Sequence, residues 1–145
     1  GFLVQDRDTS IEDPAAAKVA TRRAPTADEM AALSFGWRVV KNVKSNAIVF
    51  AAADRTLAIG GGQTSRVDSV LLAIDKARRQ GIDLAGSALA SDAFFPFPDG
   101  VEHALAAGAT AVVQPGGSVR DDAAVAAADA RGATMVLTGV RHFRH

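Results

Sequence analysis

Four short segments of this chain hold residue types that can do chemistry at places where no helix or strand pattern requires them. The first is Lys44-Ser45-Asn46. An Asn there can offer a donor and an acceptor together to a ligand carbonyl or amide, or it can simply cap its own turn. The second is Gly60-Gly61-Gly62-Gln63-Thr64-Ser65-Arg66. Glycine lets a backbone approach a ligand closely. Ser65 can cap a following helix whose free amides attract anions, and Arg66 can give a phosphate two parallel hydrogen bonds. The run lacks the Gly-Lys-Ser/Thr ending of a Walker loop, and a tight turn alone would explain its glycines.

The third segment runs from Ala90 through Ser91, Asp92, Phe94, Phe95 and Phe97 to Asp99-Gly100. Three phenylalanines with Pro96 and Pro98 among them suit neither a helix nor a regular strand. Such a loop can wall a flat ring, or it can plug the core while Asp99 caps a helix. The fourth combines Gln114-Pro115-Gly116-Gly117-Ser118, a turn with free amides, and Arg141-His142-Phe143-Arg144-His145. A basic segment is commonly solvated, but Phe143 and the strand before it argue for an anchored one. His103 falls within a helix and reads as surface. No histidine spacing resembles a metal site, and no Ser-His-Asp grouping follows from residue order. The charges at Asp75, Lys76, Arg78 and Arg79 read as a solvated helix face.

The elements that must position these segments follow from periodicity. Residues 6–26 are polar and Ala/Pro-rich and read as a loop or surface arm. Thr26 with Glu29 forms a capping-box signature for a helix to about residue 43, carrying Met30, Leu33, Phe35 and Trp37. Residues 47–52 and 56–59 read as a hairpin around the turn Asp54-Arg55. Residues 65–80 form a helix with Val67, Val70, Leu71, Ile74 and Ala77 on one face and Gly81 closing it. Strands at 87–90, 111–114 and 134–138 then alternate with helices at 99–107 and 118–130. That alternation implies parallel strands joined by crossover helices. The chemistry-bearing segments all fall at strand ends or strand-to-helix turns, where open α/β sheets bind ligands.

The 145 residues suffice for one core. Sixteen basic and sixteen acidic residues cancel, which argues against a broad nucleic-acid or membrane surface but not against a local anion site. There is no cysteine, so disulfides and thiolate zinc sites are excluded. No apolar run approaches the roughly 20 residues of a membrane span. Gly1 rather than Met opens the chain, and Phe2-Leu3-Val4 reads as the end of an apolar strand, so the sequence is expected to be a piece of a longer chain.

Six stretches taken together are specific: LVQDRD (3–8), VKSNAIV (43–49), IGGGQTSRVDS (59–69), SDAFFPFPDG (91–100), QPGGSVRD (114–121) and RHFRH (141–145). In order and over nearly the whole chain, they resemble the C-terminal end of AICAR transformylase, an activity that family usually joins to IMP cyclohydrolase in one bifunctional protein. The resemblance implies a cytidine-deaminase-like three-layer α/β/α fold with a mostly parallel sheet and no zinc. It implies an arm over residues 1–25 and a subdomain over 26–145. It also implies transfer of a formyl group from 10-formyltetrahydrofolate to AICAR in purine synthesis, a cytoplasmic homodimer with sites at the subunit interface, and no nucleic-acid or membrane partner.

Residue by residue, the resemblance places Asn46 at the reacting centre as orienting group and oxyanion donor. It places Arg66, Phe94 and Arg141 on AICAR, with Phe94 against the imidazole. It places Val67, Asp99, Ser118 and Val119 toward the folate, and a potassium ion near Ser45 and Asp92. The family's adjacent Lys-His pair, thought to move protons, would lie upstream. No Lys-His dipeptide occurs here, so this chain is expected to be inactive by itself. Pro98 stands where the family commonly has Arg, and Gly61 where it commonly has Ala; the second change is expected to be tolerated. Two readings compete with an enzyme portion: a non-catalytic nucleotide-binding and dimerisation module, and an unrelated nucleotide-binding α/β domain.

Overall fold

A computed structural model describes residues 1–2 and 4–145. Its strands are β1 (Lys18–Val19), β2 (Ile48–Ala51), β3 (Thr56–Gly60), β4 (Ala88–Ser91), β5 (Ala111–Gln114) and β6 (Thr134–Leu137). Its helices are α1 (Ala27–Val40), α2 (Arg66–Arg79), α3 (Asp99–Ala106) and α4 (Asp121–Ala130), and a 3₁₀ turn spans Pro14–Ala16. The strands form one sheet in the order β1-β6-β5-β4-β2-β3. β4, β5 and β6 are parallel neighbours, and the β2–β3 hairpin and β1 add antiparallel pairings. By direction, β3 through β6 run one way and β1 and β2 the other, so the mixed sheet is mostly parallel.

The central strands are buried on both faces, as a sheet covered on each side requires. Ile48, Phe50, Leu89, Val112 and Met135 face a core shared with α2, α3 and α4. Val49, Ala88, Ala90, Val113 and Val136 face the other side, under α1 with Leu33 and Trp37. Three layers result. α1 lies close to its sheet face because its Gly36 and the strand residues Ala51 and Ala90 are small: a Cβ added at Gly36 would lie 3.2 Å from that of Ala90. α1 begins at the expected capping box. Thr26 Oγ1 accepts from Glu29 N at 3.2 Å, and Thr26 N donates to Glu29 Oε2 at 2.8 Å. No helix among the described residues is long and apolar enough to cross a membrane.

Several sequence expectations need correction. The 6–26 arm is not merely a surface loop, because β1 within it pairs with β6. Phe2 and Val4 are exposed and outside any strand, and Leu3 lies outside the described residues. The helix expected from residue 118 starts at Asp121. Ser118 instead closes a turn, its hydroxyl accepting from Arg120 N at 3.1 Å and its carbonyl from Asp121 N at 3.2 Å. Asp99 is the first residue of α3 rather than its cap, which is Pro98. The inward face of α2 is Arg66, Ser69, Val70, Ala73 and Ala77, with Leu71 exposed. The apolar periodicity therefore identified the helix but aimed its first turn wrongly, because it could not count an arginine as inward.

Candidate active site

The pairing register gathers one end of the sheet. Ile48, at the start of β2, is opposite Gly60 at the end of β3 and Ser91 at the end of β4. The ends of β5 and β6 meet at Gln114 and Leu137. All four chemistry-bearing segments leave from this edge, at the carboxyl ends of the parallel strands, where the fold class binds ligands.

At that edge Asp92 and Arg66 form a buried ion pair, with side chains 1% and 5% exposed. Asp92 Oδ1 accepts from Arg66 Nη1 and from Ala47 N at 3.1 Å, and Oδ2 accepts from Ser45 Oγ at 2.6 Å. Arg66 Nη1 also donates to Ser91 Oγ at 2.8 Å, and Nη2 donates to Asn46 Oδ1 at 2.9 Å. Asn46 Nδ2 donates to Gln63 O at 3.1 Å, leaving its second hydrogen free. The Ser45–Asn46 peptide bond is cis. The Asn46 amide is thus fixed at both ends by protein contacts.

An open cleft of about 350 Å³ lies over this pair. Asn46, Arg66, Phe94, Arg141 and Phe143 are among the residues that line it. The four residues assigned to AICAR on the strength of resemblance therefore share one cleft, although they come from four separate segments. The guanidinium of Arg141 lies over the Phe143 ring, 5.2 Å from its centroid. The phenylalanine loop divides its work. Phe95 is buried in the core, Phe94 faces the cleft, and Phe97 is half exposed with Arg120 stacked on it at 4.7 Å. Phe95 thus plugs the core, while Phe94 is left facing the cleft.

A larger groove, about 790 Å³, runs between the 5–11 segment, the end of α1 and residues 143–145. Size does not make it the better site. Its lining is mostly charged and polar, whereas the smaller cleft sets Phe94 and Phe143 beside Asn46, Arg66 and Arg141.

The structure adds detail to three expectations about the site. Arg66 has a partner the sequence did not suggest: Nη1 is committed to Asp92 and Ser91 and Nη2 also bonds Asn46, while its Nε–H and second Nη2–H have no protein acceptor among the described residues. The glycines do not open the backbone to a ligand. A Cβ at Gly60 would lie 1.9 Å from Ser69 O, and one at Gly61 would lie 2.5 Å from Val43 Cγ1, so the run lets β3 pack on α2 and on the 43–44 turn. Alanine at 61 requires Val43 to shift. Ser45 and Asp92, expected near a potassium ion, are bonded to each other, and Asp92 also accepts from Arg66 and Ala47 N. The Ser45 hydroxyl donates to Asp92 and accepts from Arg144 N at 3.1 Å.

The folate set lies apart from the cleft lining. Val67 is in the first turn of α2 and Asp99 in that of α3. Val119 is fully exposed beside Arg120, whose contact with Phe97 brings the 97–99 and 118–120 loops together. His103 is exposed, as expected.

Gln114 and His142 fell within the candidate segments, but sequence reasoning assigned neither a supporting role. Buried Gln114 accepts from Phe95 N at 3.2 Å and so fixes the aromatic loop, a contact foreshadowed only by a polar residue ending a buried strand. His142 is buried against Trp37, with ring centroids 4.9 Å apart, and bonds Asp8. Burial works to raise the Asp8 carboxyl, but the hydrogen bond and charge of His142, aided by Lys41 and Ser10, hold it below its ordinary value. Glu12 is likewise buried enough to rise, yet its own backbone N–H, Ser10 and His142 bring it below.

The fold and this cleft define a three-layer α/β protein with a cleft at the carboxyl edge of its sheet. A family model described as the AICARFT/IMPCHase bienzyme matches residues 1–76, and the chain belongs to that family. It is 66% identical over all 145 residues to the bifunctional purine biosynthesis protein PurH of Chloroflexus aurantiacus, spanning 28% of that protein. It is 62% identical to PurH of Myxococcus xanthus, spanning 27% of it. The chain thus covers under a third of these relatives. Among solved structures it is similar to a diaminohydroxyphosphoribosylaminopyrimidine deaminase/5-amino-6-(5-phosphoribosylamino)uracil reductase of Thermotoga maritima. That similarity has a TM-score of 0.49 and 19% identity, and covers 73% of this chain and 34% of the other, a level that carries no argument about function.

Proposed function

We propose that the chain is the C-terminal portion of a formyltransferase of purine biosynthesis and supplies part of its AICAR site. The observation that carries this is the convergence of Asn46, Arg66, Phe94 and Arg141 on one cleft. In the reaction, the AICAR amine attacks the formyl carbon of 10-formyltetrahydrofolate. A C–N bond forms, the amine loses a proton, and the folate nitrogen leaves and takes one up. An aryl amine conjugated to a carboxamide is a weak nucleophile, so the site must orient it, accept its proton and stabilise the tetrahedral oxyanion. Asn46 has a free N–H hydrogen and an orientation fixed by Arg66, which suits it to donate to that oxyanion. Phe94 walls the imidazole. Arg141, the exposed cation of the cleft, takes the phosphate or the carboxamide edge. The folate lies toward Val67, Asp99 and the Ser118-Val119 turn. The whole protein is a cytoplasmic homodimer that also carries IMP cyclohydrolase activity.

No residue lining the cleft among those described is a general base, which favours a second reading at the level of this chain alone: it binds the nucleotide without turnover, and proton transfer comes from elsewhere in the protein. Calorimetric titration of AICAR tests the site. Saturable binding, weakened by Phe94→Ala and by Arg141→Ala, is expected. Binding indifferent to both substitutions would overturn the assignment. An assay of formyl transfer by the isolated chain separates the two readings, and any turnover would rule out the second.

A further inference from the structure

The 140–145 segment is the partition between the two clefts. Phe143 lines both, Arg141 lines the smaller, and Arg144 and His145 line the larger. The segment has no regular secondary structure, so whatever fixes it must be specific. Successive side chains of an extended chain point to opposite sides. His142, between two cleft-facing residues, points inward and is 1% exposed.

Its backbone is tied by His142 N to Asp92 O at 2.8 Å, and the segment by Ser45 N to Arg144 O at 2.9 Å. Those are ordinary neutral hydrogen bonds. The side chain is held differently. Nδ1 bonds Asp8, and Nε2 lies 3.1 Å from Glu12 Oε2. The Nδ1 contact is a hydrogen bond to a carboxylate, whereas Nε2 and Glu12 Oε2 are buried and face each other without hydrogen-bond geometry. Lys41, at the end of α1 and 3.7 Å from Asp8, is the other charged group facing this cluster, and Trp37 of α1 covers the ring. Asp8, Glu12, Lys41 and His142 thus meet in one partly buried cluster, where hydrogen bonds to a carboxylate are stronger than in water.

We propose that His142 is the positioning residue of the small cleft: clamped between Asp8 and Glu12, it fixes the 140–145 segment so that Arg141 and Phe143 flank the bound nucleotide. The nucleotide clause rests on the reading of the cleft as the AICAR site, whereas the clamp itself does not. The 5–12 segment is then part of the site's support although none of its residues lines the small cleft.

Amide hydrogen exchange and AICAR titration of the 145-residue chain test this together. His142→Gln is expected to speed exchange at the Arg144 amide about tenfold or more, the effect of losing a charged hydrogen bond, with β4 and β5 protection unchanged. AICAR affinity should fall by a similar factor, and Arg141→Ala should cost less in the His142→Gln background than alone, because Arg141 is already displaced. The double variant Asp8→Asn/Glu12→Gln removes the same clamp from its outer side and should reproduce these effects, which covers a His142→Gln chain that fails to fold. Unchanged exchange at Arg144 in both variants would overturn the clamp. Faster exchange with unchanged AICAR affinity would overturn the positioning role while leaving the nucleotide site intact. A wild-type chain with no saturable AICAR signal would sink the nucleotide reading by itself, and the exchange rates would still decide the clamp.

Discussion

Two pairs of residues that line the small cleft, Asn46 with Arg66 and Arg141 with Phe143, are held by opposite means. The first pair belongs to the sheet. Arg66 is inside the fold, its ion pair with Asp92 joins α2 to the ends of β2 and β4, and Asn46 is locked as a by-product of that arrangement. The second pair sits on an irregular segment clamped from outside the sheet by a histidine between two carboxylates. A site built this way has one pair as stable as the core and one pair that can be loosened separately.

The largest expected difference is therefore in stability. Arg66→Ala leaves Asp92 buried without a partner and should cost about 3–5 kcal/mol, read by urea unfolding. Arg141→Ala, at an exposed position, should stay within about 0.5 kcal/mol. Equal losses would erase the distinction between the pairs. Next is chemistry on the rigid side: in the complete formyltransferase, Asn46→Ala should lower kcat by about 10²–10³-fold, the cost of one oxyanion donor. A change confined to KM would make Asn46 a binding residue.

Acid should act on the supporting carboxylates. Glu29 is held at about 2, chiefly by its hydrogen bond to Arg23 and further by Thr26, Thr110 and the Arg23 charge against the opposing effect of burial. A carboxylate depressed by folding stabilises fully above its unfolded value, 4.5, and loses that contribution as pH falls toward 2. Glu29→Gln should cost about 2 kcal/mol at neutral pH after solvent screening at Arg23. Asp8 and Glu12 shift in the same direction, so the clamp should also weaken in acid and not in mild base on their account. Trp37, the sole tryptophan and a neighbour of His142, should report that release by a red shift of its emission. An emission unchanged down to pH 3 would mean the segment is held by something else. Phe97→Ala, which removes an exposed contact with Arg120, should cost only about 0.5–1 kcal/mol.

The sequence carried the elements well where local chemistry speaks. Thr26 and Glu29 marked the start of α1, Ser65 capped α2 by accepting from Asp68 N at 3.2 Å, and Gly81 with φ +66° closed it. It also named four residues that share the cleft. It failed where meaning depends on distant partners. Nothing local shows that Arg66 turns inward, because its carboxylate is on another strand end, 26 residues away. His142 finds Asp8 across 134 residues, with no motif joining them. β1 is two residues long, too short for any alternation to mark, and exists only because β6 offers an edge. The glycines at 60 and 61 fit a ligand loop and a tight packing contact equally until Ser69 and Val43 are seen beside them.

The central claim is that AICAR binds in the cleft these two pairs line. Titrating AICAR into ¹⁵N-labelled chain and following amide and Asn side-chain signals tests it most directly. The account predicts the largest shifts at the Asn46 side chain and at the backbone amides of Phe94 and Arg141. Shifts centred instead on Arg38, Lys41 and Asn42 in the larger groove, or no saturable shifts at all, would contradict it.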